Sequence, residues 1–201
     1  MRKIGAVVRP ETAGFTTYLH LLVSALLCMA FVVTSRIAFA ESIKPSPEQS
    51  IEQVARQALP PTAELQHKVV NVDLGVLGKT IVVFYKAPGV VTNFSGVVLI
   101  PESDSNSFHV TSLPPMREAD GLFDSEIISV FGVNRDIRSK ALVVIYRYLR
   151  LGTGEGYKYS GYVYAHDGKE WHIDDQRSRL LVGVSTATLA KKKLMSYSAT
   201  R

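Results

Sequence analysis

Between His67 and Ile173 the chain alternates short apolar runs, rich in β-branched and aromatic residues, with breaks of Gly, Asn, Asp and Pro. That pattern predicts strands joined by tight connections. The runs are His67–Leu74, Thr80–Tyr85, Ser95–Ile100 and Phe108–Leu113, with Gly78-Lys79 turning the first pair. Four more follow at Glu126–Val133, Lys140–Leu149, Lys158–Ala165 and Glu170–Ile173. Because the connections are short, neighbouring strands are expected to run antiparallel. The longest connection, Pro114–Asp124, opens on two prolines and is expected to be an irregular surface loop, the kind of segment that most often carries function.

Two segments show helical spacing instead. Ser46-Pro47-Glu48-Gln49 reads as a helix start with Ser46 as N-cap and Gln49 closing a capping box, followed by Ile51, Val54, Ala55, Ala58 and Leu59 until Pro60-Pro61 stops the run. Near the other end, Leu180, Leu181, Val182 and Val184 precede a segment that Ser185 can cap, with Lys191, Lys192 and Lys193 expected near the negative end of its dipole. The expected fold is therefore α+β: an antiparallel sheet of about seven to eight strands with a short N-terminal and a C-terminal helix packed on it. In Lys140–Leu149 the period of two puts Leu142, Val144, Tyr146 and Tyr148 on one face and Val143, Ile145, Arg147 and Leu149 on the other. Both faces are largely apolar, which implies a central sheet covered on both sides.

The first forty residues follow a different logic. Arg2, Lys3 and Arg9 precede an uncharged apolar stretch from Leu21 to Val33, and Ala38-Phe39-Ala40 then gives a small-x-small pattern. This is the order of a secretory signal peptide cleaved before Glu41. The apolar stretch is shorter than the roughly 20 residues needed to span a bilayer as a helix, so membrane contact is expected only through this segment if it stays uncleaved. Residues 1–40 are thus read as a signal, 41–66 as a polar start and N-terminal helix, and 67–201 as a β-rich body ending in a helix, with 41–201 forming one domain. The only cysteine, Cys28, lies in the signal, and its neighbours do not make a lipoprotein site, so the exported domain is free of disulfides, as in many periplasmic proteins. The expected location is periplasmic or secreted, in a bacterial host. Arg2, Lys3, Arg9 and Arg36 against Glu11 account for +3 of the formal charge of +5, leaving +2 from Glu41 onward. A charge that small makes no case for nucleic acid as partner.

Candidate chemistry is sparse. Gly132-Val133-Asn134-Arg135-Asp136 before Lys140 resembles the D-x-N-x-D-G loops with which many secreted β proteins bind calcium. It departs from them where oxygen ligands are needed: Gly132 takes the first position, Ile137 replaces the loop glycine, and Arg135 and Arg138 oppose a cation. The segment is read as a turn without metal. His166 and His172 flank Asp167-Gly168, a strong hairpin-turn signal, and the two arms of one hairpin do not bring such histidines together as zinc ligands; His67 and His109 stand alone. There is no cysteine after Cys28, no G-x-S-x-G, no S-x-x-K, no phosphate loop and no dinucleotide fingerprint, while Asp174 and Asp175 are neighbours that would diverge in a strand. No cofactor is expected, and the balance tips against an enzyme.

What remains is the tyrosine density on the strands Lys140–Leu149 and Lys158–Ala165, joined by a glycine-rich turn from Gly152 to Gly156. Tyr146, Tyr148, Tyr162 and Tyr164 are the expected binding residues, since tyrosine offers a large rigid surface with a polar tip. Tyr157 and Tyr159 share a face of their own strand, and Tyr162 and Tyr164 share the opposite one. The expected function is an exported, non-catalytic binding protein of the cell envelope whose partner is a protein or an envelope polymer. The alternatives are a small hydrolase acting on envelope material and a structural envelope subunit.

Overall fold

The computed structural model describes residues 42–86, 94–103, 107–116, 122–134, 140–150 and 154–199. The signal segment and Arg135 to Ser139 lie outside the described residues. Among them the chain is α+β, and its ten strands divide between two antiparallel sheets instead of one. The first sheet holds β1 (Ser42–Ile43), β2 (Glu64–Leu65), β3 (Val70–Asp73), β4 (Lys79–Lys86), β5 (Ser95–Pro101) and β6 (Phe108–Ser112). Its order is β1-β6-β5-β4, with β2 and β3 following each other along the far edge of β4. The second sheet is a meander of β7 (Leu122–Asn134), β8 (Lys140–Arg150), β9 (Lys158–His166) and β10 (Trp171–Ile173). Three helices complete the set: α1 (Ile51–Gln57), α2 (Asp175–Arg179) and α3 (Ala187–Ala199).

The apolar character of both strand faces now has its cause. One face of each sheet meets the other sheet: Val72, Leu74, Val82, Phe84, Val98 and Leu113 pack with Ile127, Val130, Leu142, Val144, Tyr146, Tyr164 and Trp171. The second face of β4, β5 and β6, carrying Ile81, Val83, Tyr85, Val97, Leu99 and Val110, packs under Val54, Ala55 and Ala58 of α1. The second face of β8 and β9, carrying Ala141, Val143, Ile145 and Val163, packs under Leu181, Val184, Ala190 and Leu194. The layers run helix, sheet, sheet, helix. Each core side chain taken fully out of water contributes about 1.5–3 kcal/mol, which makes these three seams the source of stability.

Local chemistry sets where the helices begin. The cap of α1 is Ser50, not Ser46: Ser50 Oγ accepts from the Gln53 N–H at 3.3 Å, and Gln53 Oε1 accepts from the Ser50 N–H at 2.8 Å. Ser46 and Gln49 make a similar bond, Ser46 N–H to Gln49 Oε1 at 2.9 Å, but it closes only a turn. Two S-x-x-Q boxes four residues apart competed, and the second is the one that places Val54 and Ala55 against the sheet. Asp174 caps α2, its Oδ1 accepting from the Arg177 N–H at 3.0 Å, so Asp174 and Asp175 lie at a helix start and not in a strand. Thr186, and not Ser185, takes the capping bond of α3, its Oγ1 accepting from the Leu189 N–H at 3.3 Å. Since α3 runs on to Ala199, Lys191, Lys192 and Lys193 fall in its middle and the dipole does not account for them.

The C-terminal layer is pinned by polar as well as apolar contacts. Ser178 Oγ accepts from the Val163 N–H at 2.9 Å and donates to the Asp174 carbonyl at 2.7 Å, while the Asp174 N–H donates to the Val163 carbonyl at 2.8 Å. Gly161 is bare for the same reason. A Cβ there would stand 2.8 Å from the Val144 carbonyl oxygen and 2.9 Å from Leu181 Cδ1.

Candidate functional site

Register decides which tyrosines meet. Leu142 pairs with Tyr164, Val144 with Tyr162, Tyr146 with Ser160 and Tyr148 with Lys158, so Tyr146, Tyr148, Tyr162 and Tyr164 all lie on one face. The sequence brings them together as expected: the Tyr146 and Tyr162 rings stack at 5.6 Å and 9°, with Tyr148 5.8 Å from Tyr146 and Tyr164 6.1 Å from Tyr162. That face turns toward the first sheet. Tyr164 is 1% exposed and Tyr146 8%, while Tyr148 and Tyr162 are partly buried at the edge of the same cluster. Burial is the main cause that raises the phenol pKa of both Tyr146 and Tyr164, and hydrogen bonds to Ser160 and Tyr162 partly offset it at Tyr146. Tyr146 and Tyr164, expected as binding residues, thus stand in an aromatic seam between the sheets, where neither ring is open to a partner.

A second group of side chains lies on the opposite face, toward the end of the strands where the Gly183 N–H between α2 and α3 bonds the Tyr159 carbonyl at 2.9 Å. Glu126 of β7 pairs with Arg147 of β8, and Arg147 pairs with Tyr159 of β9, which makes one row across three strands. Arg147 Nε donates to Glu126 Oε2 at 2.7 Å, and its terminal nitrogen reaches the same oxygen. The guanidinium lies 4.5 Å from the ring centre of Tyr157, which is 44% exposed. Bonding to the Glu126 carboxylate raises the Arg147 pKa further, so this cation is permanent. The pairing of Tyr157 and Tyr159 with Arg147 was readable only in part: parity gives the shared face, but nothing in the chain says how the helices lie toward it.

His172 and His109 lie close enough to His166 to act on its charge, but the ring of His166 is directed elsewhere. His166 pairs with Trp171 across the β9–β10 hairpin and packs edge-on against its ring at 5.0 Å, whereas His172 pairs with Ala165 and so faces the other way. The turn is held by Asp167, whose Oδ1 accepts from the N–H groups of Lys169 and Glu170, each at 2.9 Å; these bonds lower its pKa. His67 Nδ1 lies 2.8 Å from the Lys68 carbonyl oxygen, a local contact. Among the described residues no three His, Cys, Asp or Glu side chains are placed to hold a metal ion. Of the segment read as a turn, Gly132 and Asn134 instead belong to β7, and Arg135 and Asp136 lie outside the described residues. Of the Pro114–Asp124 loop, Met116 is buried, residues 117–121 are outside the described residues, and β7 already begins at Leu122.

No family model matches this chain, and no match was found among the curated proteins or the solved structures.

Proposed function

We propose that the chain is an exported, non-catalytic binding protein of the cell envelope, and that its partner is the saccharide chain of an envelope polymer. One observation carries this reading: the exposed ring of Tyr157, just before β9, with Arg147 of β8 lying on it and the Glu126 carboxylate of β7 anchoring that arginine. A sugar ring presents an apolar C–H face to an aromatic side chain and its hydroxyls to charged groups. Tyr157 supplies the first surface, and Glu126 with Arg147 the second. Export is supported by the charge order of the N-terminus and by Ala38-Phe39-Ala40. No helix among the described residues is long and apolar enough to cross a membrane.

The test is cosedimentation of the purified protein with isolated envelope polymer. The expected result is saturable binding that Tyr157→Ala and Arg147→Gln each weaken about tenfold, the effect of losing a central contact of about 1.4 kcal/mol. Capture of a protein by the same row, with no retention on polymer, would replace the saccharide by a protein partner. Release of soluble sugar during incubation would favour the hydrolase. For export, mass spectrometry of the protein from its native host should find Glu41 as the first residue; an intact Met1 in a membrane fraction would contradict cleavage.

A further inference from the structure

At the corner where β3 meets β7 lies a cleft of about 330 Å³, and its lining is chemically one-sided. Its floor is set by Gly132, where a Cβ would stand 3.0 Å from the Asp73 carbonyl oxygen and 3.2 Å from Val72 Cγ1, so the two strands approach as closely as a bare backbone allows. Its walls carry Asn71, Asn134, Lys140 and Lys191, the last reaching in from α3 with its Nζ 5.2 Å from the ring centre of Phe131.

We infer that this cleft binds the anionic group of a small molecule, a carboxylate or a phosphate. Donors along its described lining outnumber free acceptors. Among the described residues the only carboxylate lining the cleft is Asp73, and both of its oxygens are engaged: Oδ2 takes Lys140 Nζ at 2.6 Å and Oδ1 takes the Gly75 N–H at 2.9 Å. Those two bonds hold its pKa low, so it stays charged and neutralises Lys140 alone. Lys191 has no ion pair among the described residues, so the described lining carries one net positive charge. Lys140 keeps two further N–H donors, Lys191 has three, and the amides of Asn71 and Asn134 add more. Such a set is satisfied by a ligand rich in acceptors, and charge-assisted bonds to an oxyanion are the strongest that it can make. The cation over Phe131 is held in place by the ring without being neutralised by it. The space suits a small ligand, being at the lower end of the roughly 300–1,000 Å³ usual for such sites. This site shares no lining residue with the row at Tyr157, and it stands or falls independently of it.

The experiment is an NMR titration of the purified protein with inorganic phosphate in one arm and acetate in the other, at ionic strength matched with chloride. Saturable shifts of the Gly132 and Asn134 amides with either anion are expected, and the tighter arm names the natural group. Lys191 is on the surface of α3, so Lys191→Ala leaves the fold intact and should weaken binding about tenfold, while Lys191→Arg should retain it. Shifts that rise linearly without saturating, that are matched by chloride alone, or that Lys191→Ala leaves unchanged would overturn the proposal.

Discussion

The strands β8 and β9 carry tyrosines on both faces, and the two sets have opposite fates. On one face Tyr146 and Tyr164 are sealed between the sheets; on the other Tyr157 is exposed, with Arg147 lying on it. Residue type is the same, but Tyr157 stands just before β9 and on the other parity from Tyr162 and Tyr164. The inner face meets the first sheet at all four tyrosine positions. The outer face is covered around Ala141, Val143, Ile145 and Val163, where Leu181, Val184, Ala190 and Leu194 reach it, and the Gly183 N–H bonds the Tyr159 carbonyl. Aromatic density in a strand therefore reports that a face is used, and the element laid over it decides whether the use is packing or contact with a partner.

The sharpest way to break this contrast is Tyr164→Ala. Emptying a fully buried aromatic site should cost about 3–5 kcal/mol in urea unfolding, and a loss below about 1 kcal/mol would show that the seam is not closed. Tyr146→Phe should cost less, about 1 kcal/mol, because it keeps the ring stacked on Tyr162 and removes only the hydroxyl bonded to Ser160 and Tyr162. On the other face, Tyr157→Ala should stay within about 0.5 kcal/mol of the parent in stability while binding falls. A large stability loss there would make the two faces alike. The smallest effect is one of pH at the end of the seam, where His166 packs on Trp171. Burial is the main cause that lowers the His166 pKa from 6.5; His172 and His109 add to it, and Asp167 opposes it. The unfolded chain then binds the proton more readily, so stability should decline as pH falls through 6.5 and below, and His166→Gln should flatten that decline.

Much of the fold was legible because strand signals are local. Every run from Thr80 to Ile173 lies within two residues of an observed strand at its ends, except the start of β7, which begins at Leu122 instead of Glu126. The division into two sheets was not legible, since apolar patterning shows that both faces of Ile81–Tyr85 and Ala141–Tyr146 are buried but cannot name the covering element. The short edge strands β1 and β2 carry no period of their own and exist only because β6 and β4 offer unpaired edges. The sites were less legible still. Asp73 and Lys140 are 67 residues apart and Lys191 lies further on, so their meeting follows from topology alone. The lysine run looked like a helix end until α3 proved to continue past it.

The split of the chain into layers also sets a problem of timing. The first sheet and α1 come from residues before Met116, and the second sheet with α2 and α3 from residues after Leu122, so each half pairs its strands only within itself. As the chain emerges, the leading half can close its outer face with α1 while Val72, Val82, Phe84 and Val98 stay bare until the trailing half arrives. For that interval the nascent protein is a sticky intermediate, and association of its halves is a docking event that competes with aggregation. The two halves made as separate polypeptides should each be insoluble and should recover a cooperative unfolding transition only when refolded together.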